Sequence, residues 1–139
     1  MRIDGGCHCG NIRYELDWPG ALASIATRVC NCSFCVKHGG NWTSHRDAAL
    51  SAMLLDAAQV SKYRFGTETA DFFICVRCGG VPFVTCTIGG HAFAVVNANT
   101  LEGVDVAALK RAPASFDGES TAARLERRAR HWIPRVEIR

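Results

Sequence analysis

The sequence predicts a mainly β protein that ends in one helix, and three observations carry this. Short runs with alternating or β-branched and aromatic residues recur through the first hundred positions, punctuated by glycine and proline. One segment near the C-terminus carries helical capping and spacing instead. Seven of the eight cysteines fall into three tight groups, Cys7-Cys9, Cys30-Cys32-Cys35 and Cys75-Cys78, a pattern that zinc explains better than disulfides do.

Taken in order, Asn11 to Leu16 (NIRYEL) alternates apolar and polar residues and reads as a half-buried strand just after Cys9. Trp18-Pro19-Gly20 is a turn, and Leu22 to Val29 carries β-branched residues into Cys30 as a second strand. Lys37 to Gly40 reads as a loop, and Asn41 to Arg46 leaves it as a strand. The Ala- and Leu-rich composition of Asp47 to Ala58 favours a short helix, against which Asp56 and the adjoining β signals count. Val60 to Phe65 alternates again and ends at Gly66. Asp71 to Cys75, Pro82 to Thr87 and Ala92 to Asn97 have strand composition, separated by Gly79-Gly80 and Gly89-Gly90. Asp117 or Ser120 can cap a helix over Thr121 to His131, with Leu125, Ala122 or Ala129, and Trp132 as its apolar stripe. Pro134 stops it. No repeat, low-complexity tract or linker divides the chain, so residues 1–139 read as one domain with a basic helical tail over about residues 117–133.

The 139 residues are 48% hydrophobic and 21% charged, the balance of an ordinary soluble globular protein. The densest apolar runs, FFICV and AFAVV, fall far short of the roughly 20 residues that span a bilayer. The opening MRIDGGCHCG has no apolar signal stretch, so the cysteines are expected to be reduced thiols and the location cytoplasmic. The net charge of +3 does not point to a polyanionic partner. It is uneven, with eight basic residues against four acidic ones from Lys110 onward, and such a run reads first as a solvated helix face.

Two cysteine pairs from distant parts of the chain, Cys7 with Cys9 and Cys75 with Cys78, can close a four-sulfur structural zinc site. The redox alternative for Cys75-Val76-Arg77-Cys78 lacks the βαβ context that such motifs occupy. The triplet Cys30, Cys32 and Cys35 can gather round one ion through a tight turn. Two readings of it stand. His38, His45, His91 or Cys86 closes it as a second structural site, His38 being nearest in sequence. Otherwise the fourth position is open to water or a substrate thiol, as in catalytic zinc sites. Cys86, within TCT, reads as a buried small hydrophobe, and His8 and His91 as structural or surface residues.

The stretches GGCHCGNIRYEL, CNCSFC followed by KHGG, YRFGT, FICVRCGG and VVNANTLEGVD resemble, in this order, the glutathione-dependent formaldehyde-activating enzymes, to which centromere protein V is also similar. The likeness runs from Gly5 to about Asp105, and FDGESTAARLERRARHWI is similar to the tails of bacterial members. The resemblance implies a β-tent of several small antiparallel sheets around zinc. It implies two Zn²⁺ per chain, a structural one on Cys7, Cys9, Cys75 and Cys78 and a catalytic one on Cys30, Cys32 and Cys35. The implied activity is that of S-(hydroxymethyl)glutathione synthase, a carbon–sulfur lyase whose partners are a small-molecule thiol and an aldehyde. One departure is Asn31, where the family's middle motif usually has histidine between its first two cysteines. Lys37, Arg46 and Arg77 are candidates to meet a glutathione carboxylate, though each reads first as a surface charge. A non-catalytic, zinc-stabilised binding module with a basic tail is the alternative; no DNA or RNA motif is visible, and the sequence does not speak to oligomeric state.

Overall fold

From Ile12 to Asp17 burial alternates without a break: Ile12, Tyr14 and Leu16 face the core, and Arg13, Glu15 and Asp17 face solvent. This period of two makes strand β2 (Ile12–Asp17), one of two inner strands of a four-stranded sheet in the computed structural model, which describes residues 1–139. Antiparallel β1 (Arg2–Gly6) and β5 (Ala49–Leu54) flank it, and β11 (Arg135–Ile138) lies parallel to β5 at the edge. The second sheet has seven strands, in the order β10 (Lys110–Ala114), β3 (Ala26–Cys30), β4 (Trp42–Thr43), β9 (His91–Asn97), β8 (Phe83–Ile88), β7 (Asp71–Cys75) and β6 (Val60–Tyr63). All its pairs are antiparallel except β10 with β3. The mainly β class with a C-terminal helix is therefore the observed one. No helix is long and apolar enough to cross a membrane.

Several local expectations are corrected. Residues 47–58 are not a helix: β5 sets Leu50 opposite Leu16 and Ala52 opposite Tyr14, so two-residue periodicity and burial override Ala and Leu propensity. Asp56 then caps a short turn, its Oδ1 accepting from the Ala58 amide at 3.1 Å. The strand expected from Leu22 begins only at Ala26, and the one expected over 41–46 shortens to Trp42–Thr43. The loop expected over 37–40 is the end of a one-and-a-half-turn helix, α1 (Ser33–His38), closed by Gly39 at φ +80. Strands β1, β10 and β11 had no counterpart in the sequence reading.

The expected C-terminal helix is α2 (Thr121–His131), capped by Ser120, whose Oγ accepts from the Ala123 amide at 3.1 Å. Its inward ridge is not the one expected. Leu125 is half-buried and Trp132 buried, but Ala122 and Ala129 are exposed, and Arg124 and Arg128 take the inner positions. Beyond the helix, Ile133 pairs backbone to backbone with Ala94 at 3.0 and 2.9 Å, pinning α2 to β9.

Two apolar clusters hold the chain together. The larger lies between the sheets, where fully buried Phe83 meets Phe73 at 4.6 Å and the edge of Tyr14 at 6.5 Å. Phe83→Ala is expected to cost about 3–5 kcal/mol, read from urea unfolding; a loss below about 1 kcal/mol would contradict this placement of the core. The smaller cluster joins Cys35, Trp42, Val84 and Trp132 beneath α2, and it carries the candidate site.

Candidate metal centres and active-site cavity

Cys7 and Cys9 leave the end of β1, and Cys75 and Cys78 leave the end of β7. Each pair is followed by a glycine in the left-handed region, Gly10 at φ +82 and Gly79 at φ +78, which turns the chain back around the sulfurs. All four Sγ atoms lie within 4.8 Å of one another, with Cys7 to Cys9 at 3.7 Å and Cys9 to Cys75 at 3.5 Å. A tetrahedral zinc with Zn–S near 2.3 Å needs sulfurs about 3.8 Å apart, so the donor set fits that ion. The Ile12 amide donates to Cys7 Sγ at 3.3 Å. Burial pushes the Cys7 thiol up to about 11, helped by the neighbouring sulfurs and opposed by the Ile12 amide. Burial would raise Cys78 as well, but hydrogen bonds from the backbone at Cys9 and Gly80 and from Cys7 and Cys75 bring it down to about 6. Gly80 packs against this centre, where an added Cβ would stand 3.0 Å from that of Cys7.

The triplet forms where β3 runs into α1. Cys32 is the N-cap of α1, its Sγ accepting from the Cys35 amide at 3.4 Å, while the Cys32 amide donates to Cys30 Sγ at 3.4 Å. The three sulfurs also lie within 4.8 Å of one another. In the metal-free thiols the Cys35 hydrogen bond is the main reason that Cys30 falls to about 5, and the reciprocal contact with Cys30 pushes Cys35 up. None of the four residues considered as a fourth ligand joins them. His38 stacks on Phe34 with ring centres 5.5 Å apart, and His45 packs on Trp18 at 5.5 Å. His91 Nε2 meets the Pro134 carbonyl at 2.5 Å, and Cys86 Sγ accepts from Arg128 Nη1 at 3.4 Å. Cys86 is buried as expected, and His8 and His91 are exposed.

The triplet instead opens on a cavity of about 250 Å³. Trp42, Phe72, Val84 and Trp132 give it an apolar wall, extended outward by Phe65 and the Phe34–Phe72 contact at 4.7 Å. Asn31 also lies on this wall, so the residue in place of the usual histidine faces the cavity. Arg28 from β3 and Arg124, Arg127 and Arg128 from α2 complete it, and the sequence reading missed all four. Glu119 takes Arg127 through two hydrogen bonds of 2.9 and 3.1 Å and stands 3.6 Å from Arg124. Arg127 holds the Glu119 carboxyl below its usual range. Arg128 is 7% exposed and bonds only Thr69 at 2.8 Å and Cys86, and burial lowers its guanidinium. Arg28 bonds Ser44 at 3.1 Å, and burial followed by the charge of Arg127 brings it down to about 10. Neither Arg28 nor Arg128 forms an ion pair. Of the basic run, Arg124, Arg127 and Arg128 thus turn inward, while Lys110, Arg111, Arg130, Arg135 and Arg139 are exposed. By contrast Lys37, Arg46 and Arg77 are exposed and lie off the cavity. The missed signal was Arg124, Arg128 and Trp132 at i, i+4 and i+8, one ridge of a helix.

A family model described as glutathione-dependent formaldehyde-activating enzyme matches residues 2–114, a span that contains both cysteine clusters. In three dimensions the chain is similar to the crystal structure of a Rhodobacter sphaeroides protein from structural genomics, with a TM-score of 0.57 and 27% identity. That match covers 78% of this chain and 99% of the other. Helix α2 and β11 lie beyond the matched family segment. On the extent of the family match and the two cysteine clusters within it, the chain belongs to the glutathione-dependent formaldehyde-activating enzyme family.

Proposed function

We propose that this protein is a cytoplasmic, zinc-dependent enzyme of the carbon–sulfur lyase type that joins a thiol to a small aldehyde, glutathione and formaldehyde being the pair for which its family is named. The observation that carries this reading is a three-sulfur cluster that faces a cavity and has no fourth side-chain ligand. In this reading Cys7, Cys9, Cys75 and Cys78 hold a structural zinc, and Cys30, Cys32 and Cys35 hold a second with one position left for substrate. Zinc at the triplet would supply a Lewis acid that favours thiolate over thiol at neutral pH.

The reaction balances without an oxidant or reductant. A bond forms between the thiol sulfur and the aldehyde carbon, the carbonyl π bond breaks, and the thiol proton ends on the new hydroxyl. Arg28 lines the cavity that holds the triplet and can offer N–H donors to the aldehyde oxygen as charge gathers there. Trp42, Phe72 and Val84 keep bulk water from the reacting atoms, which strengthens those polar contacts. The binding-module alternative has the basic tail engage a protein or nucleic-acid partner, and three of that tail's arginines line the cavity.

The test is adduct formation between glutathione and formaldehyde, followed by exchange NMR with the spontaneous rate subtracted. Zinc-loaded protein is expected to raise the rate in proportion to its concentration. A rate equal to the uncatalysed one, for glutathione and for smaller thiols alike, would contradict the proposal.

A further inference from the structure

The α2 face of the cavity carries an unmet demand for acceptors. Arg124 Nε, Arg128 Nε and Trp132 Nε1 are all buried, and none has a hydrogen-bond partner. They stand at i, i+4 and i+8, one ridge of the helix, and all three residues line the cavity. Buried N–H donors are almost always paired in folded proteins, so a row of three without acceptors marks a place where an acceptor from outside belongs. Charge agrees: four guanidinium groups border the cavity, against exposed Asp117 on its wall and Glu119 beside it, which pairs with Arg127 and stands 3.6 Å from Arg124 Nε. The acceptor that fits is an anion.

Size and polarity narrow it further. An apolar cavity of about 150 Å³ holds benzene, so the 250 Å³ here takes about ten non-hydrogen atoms. Glutathione has about twenty, so about half of it would stand outside the cavity. The walls formed by Trp42, Phe72, Val84 and Val95 favour an apolar body instead.

We infer that the thiol this cavity selects is a small one with an apolar body and a single carboxylate, whose carboxylate accepts from the N–H ridge of Arg124, Arg128 and Trp132 while its sulfur reaches Cys30, Cys32 and Cys35. This rests on the thiol-binding reading above and narrows its substrate class. The anion-binding half of the pocket comes from a helix outside the matched family segment.

The test is calorimetric titration of the zinc-loaded chain with 4-(mercaptomethyl)benzoate, its neutral benzyl alcohol analogue, and glutathione. The carboxylate is expected to bind at least tenfold more tightly than either of the others. Arg124→Gln and Trp132→Phe, each checked for an unchanged thermal midpoint, are expected to shrink that preference to threefold or less. Equal binding of the charged and neutral thiols, or tighter binding of glutathione, would overturn the inference while leaving the thiol-binding reading in place. Failure of every thiol to bind would overturn that reading, and the inference with it.

Discussion

Replacing Cys78 with serine is expected to leave the protein largely unfolded at 37 °C, with the four-sulfur zinc lost. The sulfurs of Cys7, Cys9, Cys75 and Cys78 tie the end of β1 to the end of β7, so this centre joins the two sheets. Structural zinc sites contribute on the order of 10–16 kcal/mol of apparent binding free energy, against roughly 5–15 kcal/mol for the net stability of a whole domain. Weakening one centre by one thiolate can therefore cancel most of the folding free energy. Circular dichroism melting, paired with zinc content, reads the effect. Variant protein that melts within a few degrees of wild type and keeps its full zinc would contradict a structural role for this centre.

Cys32→Ser is expected to do the opposite: remove the second metal and all catalysis while leaving the fold nearly intact. Cys32 caps α1 through its sulfur, and serine is among the most favoured residues at that position. The substitution thus keeps the local hydrogen bond and removes the thiolate ligand. Cys32 is half-buried at the cavity, outside the inter-sheet core, so the loss of stability should be about 1 kcal/mol or less. Adduct formation should fall to the uncatalysed rate and zinc content by one ion per chain. Equal collapse of Cys78→Ser and Cys32→Ser would argue against a division of labour between the two centres.

How much of this was legible in the sequence depends on what fixes each feature. The cysteine clusters stood out because their ligands sit two or three positions apart on turns at strand ends, so each half of a centre is written locally. Strand β2 was legible because one of its faces is buried and the other wet, and α2 because Ser120 caps it. The short α1 was hidden, since six residues, one of them the ligand Cys35, carry no periodic signal. Strand β5 looked helical by composition, and only its pairing with β2 and β11 makes it a strand. Strands β10 and β11 are parallel edge strands, and Lys110–Ala114 (KRAPA) has neither alternation nor β-branched residues to announce it.

The largest omission was chemical. A helix rich in arginine normally faces water, and charge alone gives no reason to turn it inward. What turns Arg124 and Arg128 inward is the alignment of their ridge with Trp132, which packs into the smaller core beside Trp42 and Val84. The spacing was visible, but the cavity that gives it meaning is assembled from the β3–α1 turn, β9 and α2, which lie far apart in the chain.

The claim on which the rest depends is that Cys30, Cys32 and Cys35 form an open metal centre. Zinc per chain, measured together with a zinc-edge absorption spectrum before and after addition of a thiol, tests it most directly. The expected result is two zincs per chain, one ringed by four sulfurs and one by three sulfurs and a light atom, with that light atom replaced by sulfur when thiol is added. A single zinc with four sulfurs, or two closed centres that do not respond to thiol, would contradict it.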